Sequence, residues 1–147
     1  MFGQIWLMVN RKKWDHLADQ FTSVIKRLSA QPFTRQAQMI TWMPNLDNKC
    51  YDPPCLQSLW YRILEDEEGI YWLNCNIRFR SNDAWGANFM NMFGFIQFNK
   101  EIIAAGIAKK TRKMIKLGRL NWQADSYHIY GKDIQTARER LFDRVEE

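Results

Sequence analysis

The stretch Arg80-Ser-Asn-Asp-Ala-Trp-Gly-Ala-Asn-Phe-Met-Asn91 joins an alternating strand to a long apolar segment through a run of small polar residues. Residues 70–80, which precede it, alternate so that polar and apolar side chains fall on opposite faces of a strand. The polar face carries Asn74, Asn76, Arg78 and Arg80, and the apolar face carries Tyr71, Leu73, Cys75, Ile77 and Phe79. From Asp83 to about Ala108 the pattern is helical and apolar on most sides, which predicts a helix buried at the centre of the domain.

Four polar residues follow this strand inside a run that is otherwise rich in Trp, Phe and Met: Asn82, Asp83, Asn88 and Asn91. Buried polar groups need partners, because leaving one unpaired costs about 1–3 kcal/mol. One interpretation is a structural hydrogen-bond network at a strand-helix junction. The other is a pocket for a small, polar, anionic ligand. Arg80 and Ser81 at a helix start would suit a phosphate, since a guanidinium, a hydroxyl and a helix N-terminus all attract anions.

The composition predicts one ordered globular domain over residues 1–147, with 46% hydrophobic and 14% aromatic residues. A net charge of +5 gives a mild preference for anions, among them nucleotide phosphates, polyglutamates and nucleic acid. Three cysteines without paired spacing (Cys50, Cys55 and Cys75) and two histidines indicate neither a disulfide framework nor a metal site. The absence of a long apolar run and of a signal-peptide pattern predicts a cytoplasmic protein without a membrane partner.

The rest of the chain alternates between helix and strand patterns. Residues 14–29 form an amphipathic helix with Trp14, Leu17, Phe21, Val24, Ile25 and Leu28 on one face. Strands are predicted at residues 36–43, 56–64 and 70–80, a loop at residues 44–49, and an acidic hairpin turn at residues 65–69. We therefore expect an α+β fold, in which a mixed, largely antiparallel sheet packs on a long buried helix.

The C-terminal third adds a basic run, a strand and a last helix. Lys109 to Lys113, with Lys116 and Arg119, form either a solvated end of the central helix or a rim that contacts an anion. Residues 120–130 alternate, which places His128 and Tyr130 on the same face. The last helix would be capped by Asp133 and carry Ile134, Ala137, Leu141 and Val145.

Three pieces of sequence could build one chemical site: Cys55, the Arg80 to Asn91 stretch, and His128 with Tyr130. Two prolines hold Cys55 rigidly, and a cation such as Arg80 on a neighbouring strand would favour a nucleophilic thiolate, although a lone cysteine is also an ordinary small apolar residue. The amide of Asn91 can donate and accept at once, which suits the imide edge of a uracil. His128 and Tyr130 could reach a sugar hydroxyl or pair within the core.

These motifs, taken in order, resemble the thymidylate synthase family, most closely its archaeal and phage types. The matching segments are Asp19-Gln20 with Val24-Ile25, Pro32-Phe-Thr-Arg35, the strand from Gln36 to Trp42, Pro54-Cys55, Arg80-Ser-Asn-Asp83 with Asn91, and His128-Ile-Tyr130. The resemblance runs from about residue 2 to 131, which is most of the chain. Each motif alone is weak, and the specificity lies in their common order.

The resemblance implies that dUMP is methylated to dTMP with 5,10-methylenetetrahydrofolate as co-substrate and without a metal. In the family pattern Cys55 is the nucleophile at C6 of dUMP, Arg80 and Ser81 hold the phosphate, and Arg80 also faces the thiolate. Asn91 reads the uracil, Asp83 contacts the folate, and His128 and Tyr130 bind the 3′-hydroxyl. Arg35 resembles the arginine that reaches across a homodimer to the phosphate of the neighbouring site, and nucleic acid is not expected as a partner.

Several positions depart from the family pattern. Gln36 stands in place of a second phosphate arginine, Leu56 in place of a histidine, and Phe79 in place of a glutamine. The family's catalytic glutamate, its first phosphate arginine, its folate-facing tryptophans and its closing C-terminal segment have no counterpart here, so we expect the chain to be a central portion of a synthase. The alternatives are a pyrimidine hydroxymethylase acting on dUMP or dCMP and a non-catalytic nucleotide- or RNA-binding remnant.

Overall fold

A four-stranded mixed sheet organises the computed structural model, which describes residues 19–142. In chain order the elements are α1 (Gln20–Ala30), β1 (Ala37–Ile40), the short α2 (Pro44–Asp47), β2 (Leu56–Glu65), β3 (Tyr71–Asp83), α3 (Asn88–Phe98), a π-helical segment (Asn99–Ala104), α4 (Ala105–Thr111), β4 (Ile115–His128), a 3-10 turn (Gly131–Asp133) and α5 (Ile134–Leu141). The spatial order of the strands is β1-β2-β3-β4, with antiparallel pairing except between β3 and β4, which run parallel. The predicted α+β class and largely antiparallel mixed sheet are confirmed.

The hairpin between β2 and β3 is organised by its first acidic residue. The carboxylate of Asp66 accepts hydrogen bonds from the backbone N–H of Glu68 at 3.1 Å and of Ile70 at 2.8 Å, and from the indole N–H of Trp72 at 2.7 Å. The Trp72 hydrogen bond, followed by the backbone ones, lowers the pKa of Asp66. Gly69 completes the turn with φ +77°, a conformation that glycine adopts without strain.

Alternation along β3 places the core as the sequence predicts. Leu73, Cys75, Ile77 and Phe79 are buried, whereas Asn76 and Arg78 on the opposite face are exposed. The buried face meets α1 through Val24 and Leu28, and the α3 to α4 segment through Phe95, Phe98, Ile103 and Ile107. The core therefore lies between one face of the sheet and the helices that cross it.

Several element boundaries differ from the predictions. Residues 44–47 are helical rather than loop, because Pro44 starts a short turn of helix in which the Asp47 side chain accepts from the Met43 N–H at 2.5 Å. The strand predicted over residues 36–43 is limited to four residues. The first helix begins at Gln20, capped by Asp19, while Trp14 and Leu17 lie outside the described residues. Asp133 is at the N-cap of α5 but forms no side-chain cap, and Val145 lies outside the described residues.

The α3 helix is buried on one face only. Phe95 and Phe98 face the core, whereas Phe89 is 75% and Phe93 50% exposed. The prediction that this segment is buried on most sides is wrong for its outward face, because a helix packed on one side of a sheet contacts the core with a single stripe. Its apolar composition therefore does not distinguish core residues from surface residues.

Gly118 lies at the irregularity in the pairing of β3 with β4, where an added side chain would contact β3. A Cβ at this position would lie 2.7 Å from Asn74 Oδ1, which accepts the Arg119 N–H at 2.9 Å, and 3.2 Å from the Leu73 carbonyl oxygen. We expect Gly118→Ala to lower the free energy of unfolding by about 1–3 kcal/mol, because the methyl group displaces this hydrogen bond. Gly131→Ala is the matched control, with no atom within 4 Å of the added carbon. Urea denaturation measures the free energy of unfolding of both variants, and equal losses in Gly118→Ala and Gly131→Ala would contradict the prediction.

Candidate active site

A cavity of about 280 Å³ opens where β3 and β4 end and α3 begins. Its lining combines one cysteine with polar and aromatic groups: Cys55, Phe79, Ser81, Asn82, Asp83, Ala87, Asn91, Phe95, His128 and Tyr130. The parallel register sets Asp83 beside His128, so the ends of two strands contribute to the same pocket. All three pieces singled out in the sequence meet here.

The polar stretch is mostly strand and turn rather than the start of a helix. Strand β3 continues to Asp83, and α3 begins only at Asn88. Asp83 Oδ1 accepts from the N–H groups of Trp85 and Gly86, each at 3.0 Å, which folds residues 84–87 into a turn. The prediction that Arg80 and Ser81 stand at a helix N-terminus is therefore wrong, and both belong to the strand.

Three asparagine side chains form a hydrogen-bonded network beside the pocket. Asn82, which is 3% exposed, donates through Nδ2 to Asn88 Oδ1 at 2.7 Å. Its Oδ1 accepts from Asn91 Nδ2 at 3.1 Å. Both Asn82 and Asn91 also line the cavity. The structural network and the pocket, two separate interpretations of the sequence, occur together.

Arg80 anchors the loop that carries Cys55. Its Nη2 donates to the Pro53 carbonyl at 2.6 Å and pairs with Asp52 at 3.4 Å, and its Nε donates to the Pro54 carbonyl at 3.2 Å. Its backbone N–H donates to the Cys55 carbonyl at 2.8 Å. The half-buried Cys55 is thus held by the strand beside it as well as by two prolines, while the Arg80 guanidinium is not among the groups that line the cavity.

The three cysteines have different environments. Cys50 is exposed, and Cys75 is buried in the sheet opposite Tyr61. Burial raises the pKa of the Cys75 thiol to about 12, against the opposing effect of hydrogen bonds with Tyr61 and Asn99, so Cys75 is a neutral thiol at physiological pH. Of the three, only Cys55 lines the pocket.

His128 and Tyr130 lie together at the pocket rim. Their rings meet edge to face with centroids 4.9 Å apart, and His128 Nδ1 is 3.3 Å from Ser126 Oγ. Because Nδ1 contacts Ser126, Nε2 is the ring nitrogen that does not face Ser126. The prediction that both rings share a face is in keeping with this contact, although β4 ends at His128 and Tyr130 lies just beyond it.

Arg35 lies outside the cavity lining. It is exposed before β1, and its carbonyl accepts from the Trp60 indole N–H at 3.0 Å. The neighbouring Gln36 accepts from Arg27 at 2.8 Å, so it is tied to α1. Within residues 19–142 no lysine or arginine lines the pocket.

Sequence reasoning missed three lining residues, Phe79, Phe95 and Ala87. Phe79 and Phe95 read as core, and they are core residues that also form a wall of the pocket. Asn82 belongs to the predicted polar stretch, but strict alternation would put it on the outward face of β3. The alternation breaks within the strand after Phe79, and the Asn82 side chain is buried. Ala87 carries no chemical signal in the sequence.

The basic run is remote from this pocket. Lys113 Nζ lies 4.1 Å from the Tyr71 ring centroid, and Lys116 Nζ 5.5 Å from that of Trp72. Both rings lie at the start of β3, whereas the pocket lies at its end. Each residue of a strand adds roughly 3.3 Å, so the length of β3 separates the basic run from the pocket. The run therefore does not form a rim of this cavity.

Residues 19–142 contain neither a metal-binding cluster nor a membrane-spanning helix. No group of three or more His, Cys, Asp or Glu side chains is placed to hold a metal ion. None of the helices in this part of the chain combines the length and apolarity needed to cross a membrane.

The mixed sheet and the helix across it define an α+β protein, in which a pocket lined by a cysteine, polar side chains and aromatic rings lies at the ends of β3 and β4. The family model described as thymidylate synthase matches residues 1–146. The chain therefore belongs to the thymidylate synthase family.

Individual relatives agree with this assignment. The chain is 29% identical over 83% of its length to a protein of Methanococcoides burtonii described as "Putative thymidylate synthase", covering 51% of that relative. A protein of Methanothermobacter marburgensis with the same description is 26% identical over 93% of the chain, covering 56% of that relative. The chain thus spans about half the length of the curated relatives it matches.

A solved structure shares the fold. Thermostable thymidylate synthase A from Bacillus subtilis superposes with a TM-score of 0.65 at 21% identity, covering 85% of this chain and 41% of that one. This similarity confirms the predicted fold class.

Proposed function

We propose that this chain provides the nucleophile and the nucleotide pocket of a thymidylate synthase, which methylates dUMP to dTMP with 5,10-methylenetetrahydrofolate. The observation that carries the proposal is that one cavity gathers Cys55, Ser81, Asp83, Asn91, His128 and Tyr130. Its volume of about 280 Å³ is near the lower end of the range for small-molecule sites.

Cys55 is the proposed nucleophile, because it is the cysteine in the pocket. Its sulfur forms a bond to C6 of the uracil, and the electrons of the C5–C6 double bond make C5 nucleophilic. The folate, when bound, supplies the one-carbon unit and the reducing hydride. Arg80 positions this step by holding the carbonyls of Pro53 and Pro54, so the thiol has one defined approach.

The polar lining matches the parts of dUMP by chemical type. Asn91 offers an oxygen and an N–H to the imide edge of uracil, and Ser81 offers a hydroxyl to the phosphate. His128 Nε2 and the Tyr130 hydroxyl are proposed partners of the 3′-hydroxyl. Asp83 uses Oδ1 for its own turn, which leaves Oδ2 as an acceptor for a folate ring N–H.

The phosphate requires positive charge that the lining does not supply. We assign this charge to Arg80, once it exchanges the exposed Asp52 carboxylate for the phosphate, and to Arg35 of a second copy in a homodimer. Arg35 is exposed and does not line the pocket of its own chain, so its side chain is accessible to a second copy. A bidentate guanidinium contact would suit a phosphate dianion.

Incubation with dUMP and methylenetetrahydrofolate, followed by mass spectrometry of the nucleotide, tests the proposal. We expect dTMP as the product, and calorimetric binding of dUMP by the same preparation. A hydroxymethylated product would identify a hydroxymethylase instead. Failure to bind dUMP at millimolar concentration would contradict the nucleotide assignment altogether.

A further inference from the structure

The amide of Asn91 is part of a chain of hydrogen bonds that runs in one direction. Asn88 Nδ2 contacts Met92 Sδ at 3.5 Å, Asn82 Nδ2 donates to Asn88 Oδ1 at 2.7 Å, and Asn91 Nδ2 donates to Asn82 Oδ1 at 3.1 Å. A thioether sulfur can only accept. Met92 therefore fixes the amide of Asn88, Asn88 fixes that of Asn82, and Asn82 fixes that of Asn91.

We propose that Asn82, Asn88 and Met92 form a relay that sets the amide orientation of Asn91 and so selects uracil over cytosine. The inference rests on the proposed function, because it concerns the base that this pocket accepts. Asn82 is a positioning residue in this scheme, and Asn91 is the residue that touches the base.

The chemistry of the two bases explains the selection. With one N–H committed to Asn82, Asn91 presents its Oδ1 and its second N–H to the ligand. Uracil offers an N3–H donor and an O4 acceptor, which this arrangement satisfies. Cytosine offers an N3 acceptor and an N4 donor, so Asn91 would have to flip. The flipped amide would place its oxygen against Asn82 Oδ1, so that two acceptors would face each other and the hydrogen bond of a side chain that is 3% exposed would be lost.

Two substitutions at one position separate the relay from simple packing. The side chains of aspartate and leucine are similar in shape to that of asparagine, and both lack the N–H that donates to Asn88. Only the leucine also lacks the acceptor oxygen that faces Asn91. We expect the unmodified chain to bind dUMP about tenfold or more tightly than dCMP, which corresponds to about 1.4 kcal/mol. Asn82→Asp should keep this affinity ratio, even if the negative charge of the aspartate weakens the binding of both nucleotides. Asn82→Leu should bring the two affinities to within about threefold of each other.

Isothermal titration calorimetry with dUMP and with dCMP measures both affinities for each variant. Asn76→Leu, on the exposed face of the same strand, is the control and should leave the ratio unchanged. If Asn82→Leu does not fold, Asn88→Leu, which frees the Asn82 amide to rotate, should lower the ratio in the same direction.

The outcomes separate this inference from the proposed function. The relay is overturned if the unmodified chain prefers dUMP to dCMP and Asn82→Leu, or Asn88→Leu in its place, keeps that preference. The proposed function would then still stand. A chain that binds neither nucleotide overturns both. Loss of the preference in Asn82→Asp as well as in Asn82→Leu would assign Asn82 a packing role and also overturn the relay.

Discussion

Replacing Cys55 by serine is expected to abolish covalent capture of 5-fluoro-dUMP in the presence of methylenetetrahydrofolate. The serine hydroxyl keeps the shape of the side chain but is a far weaker nucleophile than a thiolate, so the rate of adduct formation should fall by at least about three orders of magnitude. Intact-protein mass spectrometry would show the adduct on the unmodified chain, and peptide mapping would place it on the segment that contains Cys55.

Cys50→Ser is the matched control for this experiment. Cys50 is an exposed cysteine five positions earlier in the chain, and it does not line the pocket, so its replacement should leave the adduct intact. Cys75, whose thiol has its pKa raised to about 12 by burial, should not compete. An adduct that survives in Cys55→Ser, or one that maps to Cys50, would show that the nucleophile has been assigned wrongly.

The sheet was predictable because its signal is periodic and long. Residues 70–80 alternate over their whole length, and one buried face then follows from geometry alone, as Leu73, Ile77 and Phe79 demonstrate. The hairpin is also local, since Asp66 and Gly69 provide its turn within a few residues. The order of the family motifs predicts that Cys55, Ser81 and His128 belong to one site, and all three line the pocket.

The start of α3 was not predictable in the same way. Residues 83–87 fit a helical pattern, yet the Asp83 carboxylate binds the N–H groups of Trp85 and Gly86 and holds a turn in place of a helix. A short aspartate can make either a cap or a turn, and only tertiary contacts decide which. Here the Ala84 N–H donates to the His128 carbonyl on β4 at 2.8 Å, and this pairing keeps the chain extended up to the turn.

The orientation of α3 shows a second limit of sequence reasoning. Phe89, Phe93 and Phe95 are chemically identical, and a helix that is apolar on most sides gives no strong preference for the face that packs inward. Which phenylalanine is buried depends on the sheet beneath the helix. In the structure Phe95 meets the core, and the pocket wall is built from the same ring.

Phe95→Ala is therefore expected to have the largest effect on stability. The ring is 3% exposed and packs edge to face with Phe79 at a centroid distance of 6.1 Å, with Phe98 at 6.4 Å and with Trp122 at 6.0 Å. Removing a buried phenylalanine costs about 3–5 kcal/mol, because the apolar contacts are lost and a cavity remains. That loss is a large share of the free energy of unfolding of a typical domain, which is about 5–15 kcal/mol. Chemical denaturation monitored by tryptophan fluorescence would measure it.

Phe93→Ala on the same helix is the control, and it separates the core role of Phe95 from the helical propensity of the substitution. Phe93 is 50% exposed, so its replacement should change the free energy of unfolding by less than about 1 kcal/mol. Because Phe95 also lines the pocket, Phe95→Ala should weaken dUMP binding even under conditions in which the variant remains folded, whereas Phe93→Ala should not. Equal destabilisation by the two substitutions would mean that the outward face of α3 is as buried as its inward face. It would also mean that the ring contacts of Phe95 do not hold the pocket wall against the core.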